Sequence, residues 1–346
     1  MLMNRDMKFD LIDNREERHR GNCHLTVLCT AFNHGEYIEQ CVISLLSQKT
    51  NFPYMVLVHD DCSTDGTQDI LRKIANDHPD KLVLFFEQNN IFQKGIACYA
   101  MVEPYLEGDY IALCEGDDWW IDKGKLQRQY DYLSSHGRTA LCVHAGLIFN
   151  DKKKVFTGRQ SSGNEERDFS TEEIIRGDGS LFPTNSMVLK RDCLIRPDAY
   201  MGWGVGDYPL CIYCSTQGAV HYMPDAMSAY RLQSKGSWSE KRMKFGKEQK
   251  VDELAILTNG LNAMDAYTGR RYHDVIEEYC RKRAFMLHAE FGDWVAAKNS
   301  LGDEFPIAKS TYIKYWMKCH LPTLSRVLIE IRERIASAKM VRGEIS

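Results

Sequence analysis

The sequence predicts an α/β protein built on one mostly parallel sheet with helices on both faces, followed by a helical C-terminal extension. Two observations predict this architecture. Between residues 25 and 114, short β-branched and apolar runs alternate with segments whose apolar residues recur at helical spacing. From about residue 242 onwards, strand patterns are scarce and only two prolines interrupt the chain.

The first half of the chain supplies the regular part of this pattern. Strands are predicted over residues 25–31, 54–59, 81–86 and 110–114, and helices over residues 36–48, 67–76 and 97–106. The strand segments are apolar at successive positions, which is typical of strands that are buried on both faces of a parallel sheet. Ligands of open α/β sheets bind outside the carboxyl ends of such strands, so we expect the functional residues there.

The remainder of the chain is less regular. We predict a helix over residues 125–135, a strand over residues 140–149 and a solvent-exposed loop over the polar residues 150–168. The first 21 residues are rich in charges and read as a polar arm. Near the end of the chain, apolar residues at helical spacing form one stripe: Leu324, Val327, Leu328, Ile331 and Ile335. We expect this stripe to pack inside the protein, in preference to lying on a membrane surface or against a partner.

Composition excludes several classes of protein. The 346 residues include 44 Lys+Arg and 48 Asp+Glu, a net charge of −4, which gives no electrostatic reason to expect nucleic-acid binding. No apolar run approaches the roughly 20 residues of a membrane-spanning helix, and the first twenty residues lack the apolar core of a signal peptide. Several of the 12 cysteines lie inside apolar segments, as buried reduced thiols do. We therefore expect a cytoplasmic protein.

An acidic pair follows the second predicted strand, in the segment VHDDCSTDGT. Asp60 and Asp61 repel each other unless they receive hydrogen bonds or a cation. The Ser-Thr-Asp-Gly that follows can supply backbone N–H groups and a helix cap. The segment is therefore either a capped turn or a ligand site in which one carboxylate accepts from the N–H of a nucleobase.

A second acidic group follows the fourth predicted strand, in CEGDDWW. Glu115, Asp117 and Asp118 place three carboxylates within four residues. Clustering them at a buried sheet edge costs several kcal/mol unless a cation neutralises them. Hard cations such as Mg²⁺ or Mn²⁺ take oxygen ligands and share them with substrate phosphates. The apolar strand before and the two tryptophans after favour a metal–phosphate site over an exposed acidic turn.

Four motifs in this order, TAFNHGEYI, SLLSQ, VHDDCSTDGT and YIALCEGDDWW, resemble the signature of family-2 glycosyltransferases with the GT-A fold. The resemblance covers about residues 22–240. It implies an inverting, non-processive transferase of the bacterial surface-glycan type, which takes a sugar from a nucleotide-sugar, most often a UDP-sugar. The acceptor it implies is a glycan or lipid-linked oligosaccharide at the inner face of the plasma membrane.

The same resemblance divides the chain. It implies a nucleotide-binding half over residues 22–120 and an acceptor half over residues 121–240, followed by the helical extension over residues 241–346. The extension is expected to support acceptor binding, peripheral membrane contact or a homodimer. The QxxRW motif of processive synthases is absent from the sequence, which favours transfer of single sugars.

Site residues follow from the resemblance by position. It implies that Asp118, with Asp117 and Glu115, holds a divalent cation, Mn²⁺ or Mg²⁺, and that Asp117 also reaches the ribose. Gln233 stands where many relatives have His, so Arg231 or Lys235 is expected to neutralise phosphate instead. The full set implied for nucleotide and donor binding is Thr30, Ala31, Phe32, Asn33, Asp60, Asp61, Lys94, Asp117, Asn185, Ser186, Arg231 and Trp238.

Asp207, in VGDYPLC, lies where the resemblance implies a general base. The acceptor hydroxyl must lose a proton as it attacks the anomeric carbon, and a carboxylate can take that proton. The other interpretation is that Asp207 only caps a helix.

Two further functions of the protein stay open. One is a sugar nucleotidyltransferase, which is disfavoured because the segment TAFNHGEY has one Gly and no cation. The other is a non-catalytic nucleotide-sugar or glycan-binding module, which is favoured only by Gln233.

Overall fold

The computed structural model describes residues 8–95, 97–302, 308–325, 327–328 and 331. Within them, eleven strands form one mixed sheet in the order β1-β4-β3-β2-β5-β10-β7-β11-β6, with β8 beside β7 and β9 beside β11. The strands are β1 Phe9–Asp13, β2 Leu25–Ala31, β3 Tyr54–Asp60, β4 Leu82–Glu87, β5 Tyr110–Glu115, β6 Trp119–Trp120, β7 Thr139–Asn150, β8 Val155–Gln160, β9 Arg167–Phe169, β10 Val188–Lys190 and β11 Ala219–Leu232.

The helices lie on both faces of this sheet and after it. They are α1 Ile38–Leu46, α2 Thr67–Asp77, α3 Cys98–Val102, α4 Lys125–Ser135, α5 Thr171–Gly177, α6 Asp207–Gln217, α7 Trp238–Arg242, α8 Lys247–Tyr267, α9 His273–Glu290, α10 Trp294–Leu301 and α11 Lys309–His320. Two large hydrophobic clusters, one on each face of the sheet, form the core. None of the described helices is long and apolar enough to cross a membrane.

The parallel centre of the sheet confirms the predicted fold class. Strands β4, β3, β2 and β5 are neighbours and run parallel. Every residue of β3 and β4 is buried, because helices cover both faces of the sheet. The carboxyl ends of β2, β3 and β5 therefore meet at one edge, where all the acidic motifs follow.

The polar arm contains a strand that the sequence analysis missed. Strand β1 pairs antiparallel with β4, and the ring of Phe9 stacks on that of Phe85 with centroids 4.2 Å apart. Its five residues are too few and too charged to produce a strand pattern. The open edge of β4 supplies the missing hydrogen-bond partners, so the arm becomes an edge strand.

The prediction of a solvent-exposed loop over residues 150–168 is wrong where two strands form, although most of these residues are exposed or half-buried. Strand β8 pairs antiparallel with β7, and β9 pairs antiparallel with β11. Both partners are long, at 12 and 14 residues, and extend beyond the rest of the sheet. Backbone N–H and C=O groups of β7 and β11 form hydrogen bonds with this polar segment, although its own composition predicts a loop.

The C-terminal extension is partly continuous with the core. Leu261 and Met264 of α8 and Ile276 and Tyr279 of α9 are buried in the same cluster as the sheet residues. A separate small cluster around Phe285 joins α9 to α10 and α11. The boundary at residue 240 stays a prediction.

The stripe near the end of the chain does not form intramolecular core. Leu324, Val327, Leu328 and Ile331 are each close to half exposed. Ile335 lies outside the described residues. The expectation of burial is wrong for the four described members, because none of the described elements covers them.

Candidate active site

The acidic turn after β5 is held against the first motif. The N–H of Gly116 donates to the carbonyl of Thr30 (2.8 Å) at the end of β2. A Cβ at position 116 would lie 2.8 Å from Nδ1 of His34 and 2.9 Å from Cδ1 of Ile38. The glycine of Glu-Gly-Asp-Asp therefore lets the turn contact the start of α1, and the two motifs form one surface.

Asp118 is buried at the centre of a hydrogen-bond network. Its Oδ1 accepts from the backbone N–H of Arg231 (2.7 Å), and its Oδ2 accepts from Nδ2 of Asn185 (2.7 Å). Burial, together with the charges of Asp117 and Glu115, raises the pKa of Asp118 well above its ordinary value. The carboxyl thus ties β11 and the segment before β10 to the acidic turn.

Glu115 and Asp117 remain available to a ligand. The Oε2 atom of Glu115 is buried without a hydrogen-bond partner. Burial, and then the charges of Asp117 and Asp207, raise the pKa of Glu115 to about 8. Asp117 accepts one hydrogen bond from the hydroxyl of Ser234 (2.5 Å). An unpaired buried carboxylate oxygen beside a second carboxylate is the arrangement that a cation relieves.

The donor set fits a hard divalent cation that shares its ligands with a substrate. In the part of the chain that the structure describes, no three His, Cys, Asp or Glu side chains enclose a metal ion by themselves. Mg²⁺ in phosphate-transfer sites usually takes one or two carboxylates and completes its shell with phosphate and water. Glu115 and Asp117 would supply those carboxylates, whereas both oxygens of Asp118 already accept hydrogen bonds.

Asp207 is the first residue of α6, and its carboxylate is held from two sides. Its Oδ1 accepts from the N–H of Tyr208 (2.8 Å), and its Oδ2 accepts from the hydroxyl of Thr184 (3.3 Å). Gly206 is the N-cap residue of α6 and has no side chain that could cap the helix. Burial raises the pKa of Asp207 above its ordinary value. Asp207 therefore satisfies one N–H group of the first turn through Oδ1, as a capping residue does, while Oδ2 accepts only the long bond from Thr184.

The two carboxylates at the end of β3, Asp60 and Asp61, bind different parts of the structure. Asp60 accepts from the N–H of Ser63 (2.9 Å) and from Nε2 of Gln68 (2.7 Å), which makes it the centre of a capped turn. Asp61 accepts from the N–H groups of Ile91 (2.6 Å) and Phe92 (3.2 Å) and so holds the loop after β4. Its carboxylate retains lone pairs for a further donor such as a nucleobase N–H.

The first motif presents one aromatic ring and several supporting groups. Phe32 is 39% exposed, as a ring that contacts a base would be. The side chain of Ala31 is buried, and its carbonyl accepts from the N–H of Asp61 (2.9 Å). Asn33 accepts from the N–H of Thr64 (2.8 Å) through its side chain, in a left-handed conformation (φ 55°). Lys94 is exposed on the loop that Asp61 holds.

The side chains of Asn185 and Ser186, which were expected to contact the donor sugar, are both fully buried in this structure. Asn185 donates to Asp118 and to the carbonyl of Ala229 (3.1 Å), and it accepts from Ser228 (2.5 Å). The Ser186 hydroxyl donates to the carbonyl of Pro183 (2.6 Å). These residues support the acidic turn from behind.

Arg231 also differs from its expected role. Its guanidinium donates to the carbonyl of Asp117 (2.7 Å), to Asp151 (3.0 Å) and to Gln40 (2.7 Å), and lies 4.6 Å from the ring centroid of Trp119. The side chain is buried and fully paired, so it locks the acidic turn instead of facing a phosphate. Asp151 and Gln40 were missed by the sequence analysis, since no spacing connects residues so far apart.

In the segment after β11, Lys235 is the positively charged residue that could offset charge on a bound phosphate. Gln233 has φ 65°, and its Nε2 lies 2.9 Å from Sδ of Met243, away from the acidic turn. The exposed Lys235 donates its backbone N–H to the hydroxyl of Tyr37 (3.2 Å), which fixes its backbone beside α1. Trp238 begins α7, and its side chain lies outside the described part of the structure.

Residues 26–194 match the family Glycosyl transferase family 2. Over these 169 of the 346 residues, the chain is similar to the domain of family 2 glycosyltransferases. The relatives include the uncharacterized protein Rv1520 of Mycobacterium tuberculosis, 31% identical over 62% of this chain and 60% of the relative. They also include the putative teichuronic acid biosynthesis glycosyltransferase TuaG of Bacillus subtilis, 34% identical over 32% of this chain and 41% of TuaG.

Solved structures of glycosyltransferases share the fold. TarS 1-349 of S. aureus in complex with UDP superposes with a TM-score of 0.53 at 17% identity, covering 92% of each chain. The mannosyltransferase PcManGT from Pyrobaculum calidifontis, in complex with GDP-Man and Mn²⁺, gives 0.52 at 15% identity, covering 93% of this chain and 88% of its own. The chain spans about 60% of the length of the mycobacterial relatives that it matches.

Proposed function

We propose that the protein is an inverting glycosyltransferase that moves one sugar from a nucleotide-sugar to a hydroxyl group of a glycan or lipid-linked oligosaccharide. One observation carries the proposal: the buried, unpaired carboxylate oxygen of Glu115 beside Asp117, within reach of the charge of Asp207. A cation–diphosphate site and a carboxylate that can accept a proton then share one cleft. This combination is what transfer to a hydroxyl requires.

The donor is proposed to be a UDP-sugar bound with Mn²⁺ or Mg²⁺. TarS was crystallised with UDP, and PcManGT with GDP-Man and Mn²⁺, which supports a nucleotide-sugar and a divalent cation for a chain of the same fold. The name of TuaG supports a surface polysaccharide as the product. Asp61 and Phe32 would contact the base, and Lys235 would offset charge on the diphosphate.

The proposed reaction moves one proton, from the acceptor hydroxyl to Asp207, and releases one leaving group, the nucleoside diphosphate. When bound, the cation stabilises the charge that develops on the departing diphosphate. Asp207 accepts the proton of the attacking acceptor hydroxyl, while Thr184 and Tyr208 orient its carboxylate. The raised pKa of Asp207 brings it closer to neutrality, where a general base works best. The acceptor would approach from the inner face of the plasma membrane, with the protein in the cytoplasm.

Thermal unfolding with UDP, UDP-GlcNAc and GDP-mannose, with and without Mn²⁺, tests the donor site. A nucleotide at about 100 Kd should stabilise the fold by ~2.7 kcal/mol. Glu115→Gln should abolish the Mn²⁺-dependent part of this stabilisation, because it removes a charge that the cation neutralises. Asp69→Asn, an exposed carboxylate on α2, is the control. Full Mn²⁺-dependent stabilisation of Glu115→Gln would exclude Glu115 as a ligand.

UDP release from the stabilising nucleotide-sugar tests the base. Asp207→Asn should lower kcat by roughly 100-fold or more, because general-base catalysis contributes about that factor, and should leave nucleotide binding within a few-fold. Binding without turnover in the wild type would favour the non-catalytic module. Near-normal turnover of Asp207→Asn would show that another group takes the proton.

A further inference from the structure

The segment that follows α5 frames the cleft beside Asp207. Asp178, Leu181 and Phe182 line a small pocket together with Asp207 and Tyr208. Asp178 has φ 64°, an unusual conformation for a residue other than glycine, so something must hold it there. Thr184, which donates to Asp207, lies two residues beyond this pocket lining.

Helix α9 of the C-terminal extension holds that segment. The hydroxyl of Tyr279 donates to Oδ1 of Asp178 (2.8 Å), and Nη1 of Arg283 donates to Oδ2 (2.8 Å). Two residues before Asp178, Arg176 of α5 pairs with Glu278 of α9 (2.8 Å). Both carboxylate oxygens of Asp178 are thus paired with α9, at a site that is mostly shielded from solvent.

Helix α8 holds the segment on the other side of Asp207. Gly202 and Gly204, both with φ 75°, turn the chain around Trp203, whose ring is buried. A Cβ at Gly260 of α8 would lie 2.5 Å from three atoms of that ring, so the indole rests directly on the helix backbone. Asp207 begins α6 three residues after this turn.

We propose that α8 and α9 position the acceptor side of the active site. Tyr279 and Arg283 act through Asp178, and Gly260 acts through Trp203, to fix the two segments on either side of Asp207. These are positioning residues, and their importance for catalysis rests on the proposed function of Asp207. The extension is then part of the machinery that presents the acceptor hydroxyl.

The same contacts have an electrostatic consequence. The charge of Asp178 contributes to the raised pKa of Asp207, and Arg283 offsets that charge. Among the described residues, Glu115 also interacts electrostatically with Asp207, and Arg196 donates to the carbonyl of the preceding Gly206 (2.8 Å). Asp178→Asn should therefore lower the pKa of Asp207, whereas Arg283→Met should raise it. A purely structural role predicts no such opposite shifts.

Hydrogen–deuterium exchange of the full chain tests the positioning directly. Tyr279→Phe removes only a hydroxyl, and Arg283→Met removes the ion pair. Both should speed exchange in residues 178–186 and 206–208 by roughly tenfold, since each lost hydrogen bond is worth about 1.4 kcal/mol or more. Exchange in β2 and β3 should not change. Lys282→Met, which removes one positive charge from the same helix, is the control. Unchanged exchange at residues 178–186 in both variants would overturn the proposal.

Kinetics with UDP-GlcNAc and Mn²⁺ separate this inference from the proposed function. Tyr279→Phe should lower kcat for UDP release roughly tenfold with UDP affinity within twofold, because a small displacement of a catalytic group is costly. The acidic limb of the pH–rate profile should move down for Asp178→Asn and up for Arg283→Met. Absent turnover in the wild type counts against the proposed function, while the exchange result still decides the positioning. Wild-type kinetics in all three variants would overturn it.

Discussion

Lys125 is buried at the start of α4, with its Nζ atom 3.9 Å from the centre of the Trp120 ring and no hydrogen-bond partner. Burial lowers the pKa of Lys125 to about 7. The unfolded chain holds the proton up to about pH 10, so folding releases it between pH 7 and pH 10. The free energy of unfolding therefore rises with pH across this window, and the full penalty applies below pH 7.

Lys125→Met should stabilise the protein, because it keeps the contact with Trp120 and removes a buried charge. Its advantage over the wild type should shrink by roughly 3 kcal/mol between pH 7 and pH 9.5, because Lys125 of the folded wild type is already neutral and the free-energy cost of removing the proton from the unfolded chain falls as the pH approaches 10. Urea denaturation at the two pH values measures this. The exposed Lys123→Met is the control, and an advantage that does not depend on pH would contradict the lowered pKa.

Other polar residues near the turn are structural in the same sense. Asn185, Ser186 and Arg231 fill their hydrogen bonds inside the protein, so they fix the geometry of Asp117 and Asp118 without facing solvent. Burial of these groups is tolerated because nearly every donor has an acceptor. Glu115, Phe32 and Lys235 are by contrast partly or largely open to solvent.

At the scale of elements, the site depends on how closely the turn after β5 approaches α1. Gly116 allows this close contact because it has no side chain; any side chain at this position would collide with His34 and Ile38. The same turn is tied to β11 through Asp118 and to the segment before β10 through Asn185. The acidic motif is thus a junction of four elements.

Gly116→Ala should lower the free energy of unfolding by about 1–3 kcal/mol, the range for inserting a methyl group into a filled space. It should also weaken Mn²⁺-dependent UDP binding, because the turn that carries Glu115 and Asp117 moves outwards. Thermal unfolding with and without UDP and Mn²⁺ measures both effects. Gly137→Ala, where a Cβ meets nothing within 4 Å, is the control. Equal behaviour of the two variants would contradict this account of the turn.

At the scale of the whole molecule, helix α11 differs in charge from the chain as a whole. It contains Lys309, Lys314 and Lys318 and no acidic residue, in a chain of net charge −4. Ile313 is 56% exposed on α11, and its neighbour Trp316 is 39% exposed. A basic helix with exposed aromatic and aliphatic side chains is typical of attachment to an anionic membrane surface.

We therefore expect the protein to sediment with phosphatidylglycerol vesicles and not with phosphatidylcholine vesicles, and to be released by salt. The double variant Ile313→Gln, Trp316→Gln should lose this binding. Val251→Gln, which changes an exposed apolar residue of α8, is the control. The alternative outcome is a concentration-dependent dimer that does not bind vesicles and that dissociates in the double variant. That result would assign this face to contact with a second copy of the chain.

The sequence by itself determined the order of the central elements and the place of the chemistry. Strands β2 to β5 carry their apolar signal locally, and the acidic motifs follow β3 and β5 directly in the chain. Because parallel strands bring their carboxyl ends to one edge, Asp61, Glu115 and Asp117 could be assigned to one site before any coordinates.

Only the tertiary structure decided which of these residues stay open to solvent and which are buried and hydrogen-bonded behind the acidic turn. Arg231 lies beside Asp117 although 114 positions separate them in the chain, and α9 reaches Asp178 from 101 positions away. Strands β1, β8 and β9 form because a neighbouring edge offers unpaired backbone groups. Such contacts depend on which surfaces meet after folding, and neither residue type nor spacing along the chain records that.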